Sequence, residues 1–129
     1  MDEVYEYLKK AEIYYIATID GDQPRVRPFG PVVILEGKLY IETGKSKDVF
    51  KQITINPKVE VCAIEGGTKW MRLAATLVND DNAEARQLLL DTYPVLQNMY
   101  AEGEMQTLFF KDATAVFYSF EAAPKVVHF

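Results

Sequence analysis

Three lysines and a hydroxyl crowd one short stretch of this chain, Lys45, Ser46, Lys47 and Lys51. The residues before it, Leu39-Tyr40-Ile41-Glu42-Thr43, have the aromatic and β-branched content of a strand, and Gly44-Lys45-Ser46-Lys47 interrupts it with a turn. Ser46 suits an N-cap and Asp48 a first helical turn, while Val49, Phe50 and Ile53 recur on one helical face, so a helix is predicted at about 46–55. Backbone N–H groups at such a helix start, with cations beside them, suit a phosphate. One strand further on comes Lys69-Trp70-Met71-Arg72, a second cationic segment that adds a large aromatic ring. Together the two segments point to an anionic, planar ligand. Lysines at a helix start and a Thr at a strand end are also ordinary surface features, so neither segment decides the matter alone.

The setting sharpens the reading. The chain has 129 residues, 49% of them hydrophobic, which suits one domain (1–129) with a single core. Its formal net charge is −5, and so acidic a chain argues against nucleic acid or an anionic membrane as partner. Local cations in an acidic chain point instead to a small anion. Met1-Asp2-Glu3 does not open a secretory signal and no apolar run reaches membrane-spanning length, so a cytoplasmic location is expected. Cys62, within the apolar run Val59 to Ile64, is expected to be a buried, inert thiol. No metal site is expected, because a single His and a single Cys do not make a zinc site and the acids lack EF-hand spacing. Neither GxGxxG nor GxxxxGK[ST] occurs.

Several elements must position these residues. Val4, Tyr7, Leu8 and Ala11 form an amphipathic stripe that predicts an N-terminal helix ending before Ile13. Ile13–Ile19 reads as a strand, turned by Asp20-Gly21 into Pro24–Arg27. Pro31–Leu35 and Leu39–Thr43 flank a second turn, Asn56-Pro57 stops the central helix, and Lys58–Ile64 and Lys69–Val78 follow as strands. The run Asn79-Asp80-Asp81-Asn82 caps a helix from about Ala83 to Leu90, Pro94–Tyr100 makes another short one, and Ala113–Phe120 is a final core strand. Tyr93, Pro94 and Tyr100 read as packing residues. Five or six strands in a meander, with helices between them, suggest a small barrel capped by helices.

Taken in order, Ala17-Thr18, Asp20-Gly21, Pro24, Arg27-Pro28-Phe29-Gly30, Leu39 to Gly44, Lys47, Lys51-Gln52, Asn56-Pro57, Val59-Glu60 and Lys69-Trp70-Met71-Arg72 resemble the pyridoxamine 5′-phosphate oxidase-like, FMN-binding split-barrel family. The small nitroimidazole-resistance-like proteins are the branch it resembles most. The resemblance implies a mainly β fold, a six-stranded antiparallel split β-barrel with peripheral helices, in a homodimer with two sites at the interface. It implies FMN as cofactor, its phosphate near Arg27, Lys45, Ser46, Lys47 and Gln52, and its ring and ribityl chain flanked by Thr43 and Arg27-Pro28-Phe29. Lys69, Trp70 and Arg72 would reach the flavin from the other subunit.

Two departures narrow the chemistry. The Arg-x-His segment that grips substrate in true pyridoxamine phosphate oxidases is missing from the C-terminal Pro124 to Phe129, so vitamin B6 oxidation is not expected; Ala74-Ala75 also stands where relatives often carry Gly. With His128 the only imidazole, placed near an expected mobile terminus, no general base presents itself and the catalytic residues stay unassigned. The expectation is an FMN-dependent oxidoreductase transferring hydride or electrons to a small organic substrate, the chemistry being the flavin's. Two alternatives stay open: a non-catalytic module holding flavin, haem or a deazaflavin, and a dimeric structural or regulatory domain.

Overall fold

Period-two burial along the strands wraps one sheet around an apolar interior. The computed structural model describes residues 1–129. Its elements are α1 (Asp2–Ala11), β1 (Tyr14–Asp20), β2 (Gln23–Phe29), β3 (Val33–Leu35), β4 (Lys38–Gly44), α2 (Asp48–Ile55), β5 (Lys58–Glu65), β6 (Lys69–Asn79), α3 (Ala83–Thr92), a 3₁₀ turn (Pro94–Asn98), β7 (Met105–Ser119) and β8 (Lys125–His128). The strands form one antiparallel sheet in the order β2-β1-β5-β6-β7-β4-β3, with β8 added to β7. Eight strands replace the six expected.

The two unexpected pieces lie at the C-terminal end. The strand predicted at 113–120 is the second half of the fifteen-residue β7. What hides its continuity is a bulge: β6 advances from Thr76 to Ala74 while β7 advances from Lys111 to Thr114, and Asp112 takes a left-handed backbone at φ 51°. One extra residue resets the alternation, so a period-two reading sees a strand beginning late. The terminus is likewise paired. Ala113 and Phe129 exchange both backbone hydrogen bonds, and Thr114 Oγ1 lies 3.0 Å from His128 Nδ1, so His128 sits in an ordered strand and not in a mobile tail.

Inside the barrel, Tyr14 and Ile16 of β1, Leu39 and Ile41 of β4, Val59, Val61 and Ala63 of β5, and Met71 and Leu73 of β6 meet Val4 and Leu8 of α1. The stripe on α1 thus closes one opening of the barrel, while Ile53 of α2 joins the same core. A second, smaller cluster on the other side of β4 joins Tyr40 and Met105 to Ala85, Leu89 and Leu96. β4 is therefore buried on both faces from Leu39 to Gly44. Cys62 corrects an expectation. Val59, Val61 and Ala63 take the inward positions of β5, which turns Cys62 to the outer face, partly exposed.

Helix starts divide in the same way. Asn82 caps α3 as predicted, its side chain accepting from the Ala85 N–H at 2.9 Å. Ser46 does not cap α2, which begins at Asp48 after Lys47 with no side-chain cap. Both its N–H and its hydroxyl donate to the Glu104 carboxylate, and these charge-assisted bonds hold the side chain there. No helix is long and apolar enough to cross a membrane. Because Leu8 is fully buried between α1 and the sheet, Leu8→Ala is expected to cost about 2–5 kcal/mol of unfolding free energy, measured by urea titration; a change near zero would show that α1 is not part of the core.

Candidate functional site

The site grows from the neighbouring strands β1 and β2 and the start of α2. Arg27 on β2 pairs in register with Ile16 of β1, and its Nη1 donates to the Ile16 carbonyl at 3.1 Å and to Thr18 Oγ1 at 2.8 Å. Its Nη2 donates to Gln52 Oε1 at 2.7 Å, and Thr18 Oγ1 donates to that same oxygen at 2.5 Å. The clamp joins β1, β2 and α2 and leaves the Arg27 Nε–H and one Nη2–H without a protein partner. Burial, and then the neighbouring Arg25, depress the guanidinium pKa, so the fold holds a cation where an anion would relieve it.

Around that clamp runs an open groove of about 730 Å³. Arg25, Arg27, Lys47 and Lys51 supply its positive charge, Gln52 its amide, and Asp20 and Asp48 oppose them at the margin. Arg25 is paired with Asp20 at 3.1 Å on the surface, which leaves Lys47 and Lys51 free of ion pairs.

A second hollow of about 300 Å³ adjoins the first and shares Arg27, Lys47 and Val49 with it. It opens where β3 leaves β4: β3 pairs only with Lys38–Tyr40, so the edge of β4 beyond Tyr40 has no strand on that side. Pro28, Phe29, Val95, Leu96 and Met99 make an apolar slot, and Glu42, Thr43 and Tyr100 line it with polar groups. The wall at Pro31-Val32 is fixed by two tyrosines. Tyr14 donates to the Pro31 carbonyl at 2.7 Å, and the Tyr93 hydroxyl bonds both the carbonyl and the N–H of Val32.

Thr43 is 2% exposed, and its Oγ1 has no hydrogen-bond partner in the protein. Glu42 is 5% exposed and accepts a hydrogen bond from the Tyr100 hydroxyl on Oε2. Burial raises the Glu42 carboxyl, against the opposing pull of that hydrogen bond and of Lys47. A carboxyl raised in the fold costs stability when ionised, so its contribution is best at acid pH and declines as the pH climbs through the folded value. The Tyr100 phenol is itself raised, by burial first and then by its bond to Glu42.

The turn that opened the sequence reading has another partner. The Lys45 N–H donates to the Glu104 carbonyl at 2.9 Å, Ser46 bonds the Glu104 carboxylate twice, and the Lys47 ammonium lies 5.4 Å from the centre of the Tyr100 ring. Gly44 permits this approach, since a Cβ there would stand 3.0 Å from Glu104 Oε1 and 3.1 Å from Tyr100 Cε1. Lys45 and Ser46 line neither groove nor slot, whereas Lys47 lines both.

Lys69, Trp70 and Arg72 lie elsewhere in the chain, on β6, where Trp70 and Arg72 share the outer face and Lys69, exposed at the strand's start, takes the parity of the buried Met71 and Leu73. Trp70 stacks on Tyr118 with centroids 5.0 Å apart and planes at 11°, Phe120 meets its edge, and Arg72 Nη2 donates to the Tyr118 hydroxyl at 2.6 Å. Strand register adds Ile64 beside Trp70, and Tyr15 and Val126 to the row of Arg72, so an exposed apolar and aromatic surface covers this side of the sheet.

Of the residues expected at the ligand, the fold gathers Arg27, Pro28, Phe29, Thr43, Lys47 and Gln52 around two joined hollows. Glu42, Thr18 and Arg25 were not assigned to the ligand by sequence, and Tyr100, read there as packing alone, lines the slot and bonds Glu42. A carboxylate in the middle of an apolar strand was the one available signal for Glu42. Nothing local marks Tyr100, whose partner is 58 residues away.

Comparison with known proteins agrees with this architecture. The family model described as pyridoxamine 5′-phosphate oxidase matches residues 1–110. Among solved structures, a NimC/NimA family protein from Clostridium acetobutylicum superposes with a TM-score of 0.95 at 40% identity, covering 100% of this chain and 92% of that one. General Stress Protein 26 from Bacillus anthracis has a TM-score of 0.77 at 10% identity, covering 99% and 97% of the two chains. A heme binding protein from Mycobacterium smegmatis has a TM-score of 0.72 at 11% identity, covering 95% of this chain and 57% of that one. No curated protein matches the chain. The match over most of its length, and the full-length likeness at 40% identity, show that the chain belongs to the pyridoxamine 5′-phosphate oxidase-like split-barrel family.

Proposed function

We propose that the protein is an FMN-binding oxidoreductase that works as a homodimer on a small organic substrate. The observation that carries this reading is the junction of a cationic groove with an apolar slot at Arg27 and Lys47, beside a buried hydroxyl without a partner. FMN has the matching parts, an anionic phosphate, a polar chain and a flat ring. Lys47, Lys51 and the free N–H groups of Arg27 would receive the phosphate, while the side-chain clamp through Thr18 and Gln52 holds the guanidinium in place. Pro28, Phe29 and Thr43 would flank the ring. Bound there, the flavin supplies hydride or electron transfer, and this chain supplies position, charge and exclusion of water.

The outer face of β6 supports the dimer. Phe120 is 74% exposed and adjoins the Trp70–Tyr118 stack, with Ile64 and Val126 also open to solvent. Contiguous apolar surface of this kind favours a partner, and a second copy would bring Lys69, Trp70 and Arg72 toward a site from outside.

The visible absorption spectrum of the purified protein, with release of the chromophore on denaturation, tests the cofactor directly: flavin bands and free FMN are expected, and a colourless protein that takes up no added FMN would refute it. Lys47→Ala is expected to weaken FMN binding about tenfold or more, since a hydrogen bond to a charged group contributes roughly 1.5–3 kcal/mol. The Arg27→Ala/Lys47→Ala double variant is expected to lose retention altogether; flavin fluorescence titration reads both, and FMN retained by the double variant would overturn the phosphate assignment. Sedimentation velocity is expected to show a dimer that Trp70→Asp dissociates with loss of FMN, and a wild-type monomer holding FMN tightly would sink the shared-site reading.

A further inference from the structure

A buried carboxylate that receives one hydrogen bond is unfinished. Glu42 takes part in none of the ion pairs of the chain, and its single hydrogen bond occupies Oε2, so Oε1 has no protein donor. The adjacent Thr43 Oγ1, also buried, has no partner either. Buried polar groups are almost always satisfied, so an orphaned Thr43 hydroxyl next to a carboxylate oxygen with no protein donor marks this hollow as a place for the polar edge of a ligand. Both residues line the same slot, whose apolar walls, Phe29, Val95, Leu96 and Met99, offer no hydrogen bonds from their side chains, while Arg27 and Lys47 stand where it joins the groove. Thr43 and Glu42 come from opposite faces of β4, and they meet a common hollow because that hollow lies at the strand's free edge.

We propose that Glu42, oriented by Tyr100, acts with Thr43 as the recognition floor of the slot, selecting a planar heteroaromatic ring that carries an N–H donor on its edge. This deepens the cofactor reading given above and rests on the same site. Apolar walls take the faces of a flat ring and reject nothing by polarity; the floor supplies discrimination, because a ring lacking the donor leaves Oε1 unpaired. Tyr100 is a positioning residue in this arrangement. Its hydroxyl is spent on Oε2, which fixes the carboxylate so that Oε1 remains for the ligand. Lys47, at the junction with the cationic groove, keeps the opposite end of the site suited to an anion.

Lumichrome, a flavin ring without ribityl chain or phosphate, separates this floor from the cationic groove. The full chain, freed of any bound flavin, is titrated with lumichrome and with 1,3-dimethyl-lumichrome, in which both N–H groups are methylated, and binding is read by fluorescence anisotropy. Wild type is expected to favour lumichrome by about tenfold or more. Glu42→Gln, which still accepts from Tyr100 but turns an amide N–H₂ toward the slot, and Thr43→Val are each expected to bring the preference toward unity. Thr43→Val is also expected to raise the melting temperature of the ligand-free protein by a few degrees, since it removes an unpartnered buried hydroxyl; a purely structural Thr43 would lower it. Equal binding of the two rings by wild type, or binding of neither, overturns the inference. FMN uptake with equal binding of the two rings refutes the floor and leaves the cofactor reading intact, whereas a clear preference for lumichrome without FMN uptake upholds the floor and refutes the phosphate site.

Discussion

A fifteen-residue strand that pairs with β6 along one edge must hand its other edge from β4 to β8, and the rest of the molecule depends on how it does so. The extra residue at Asp112 falls between the two partner sets. Before it, Met105–Phe109 pairs with β4; after it, Thr114–Phe117 pairs with β8. A bulge bends the strand and increases its twist, so the sheet curls around the apolar interior instead of remaining an open layer. β4 is thereby enclosed, with the barrel core on one face and α3 on the other. The polar residues near its end, Glu42 and Thr43, are buried because the strand carrying them is buried.

Electrostatics follow from the same enclosure. An acidic chain gathers Arg25, Arg27, Lys47 and Lys51 around one groove, where the most constrained of them, Arg27, is held by two neutral oxygen-bearing side chains and a carbonyl. Neutral partners fix a guanidinium without cancelling its charge. Beside this, the Glu104 carboxylate binds the donors of Ser46, so the turn between β4 and α2 is shaped by an anion from its own chain. Two neighbouring cationic features therefore have different standing: the turn is bound to Glu104, whereas Arg27, Lys47 and Lys51 of the groove take part in no ion pair.

Much of the fold was legible in the sequence because it rests on local signals. The stripe Val4, Leu8 and Ala11, the turn at Asp20-Gly21 and the Asn82 cap each specify geometry within a few residues, and each element formed near its predicted bounds. The β7 bulge was not legible, since one left-handed Asp erases period-two alternation without leaving a Gly or Pro to mark it. Nor was the role of Ser46. A local rule made it a cap, and a carboxylate from far along the chain overrode that rule. For the site, residue type was enough to single out Arg27, Thr43 and Lys47, because cations and hydroxyls beside a turn are visible in any single sequence. The Glu42–Tyr100 pair needed the topology, which alone brings the end of β4 against the segment after α3.

The slot has two walls of very different tolerance. On the β4 side, Glu42 and Thr43 are almost wholly buried in a strand packed on both faces, so a larger side chain there disturbs the scaffold itself. On the opposite side, Val95 and Met99 lie in and beside the 3₁₀ turn with more than half of their surface in solvent. Variation in that second wall can reshape the opening while the hydrogen-bonded core stays as it is. A lineage of such proteins can thus diversify what it admits through a handful of neutral surface changes, with the scaffold's folding and the innermost chemistry inherited unchanged.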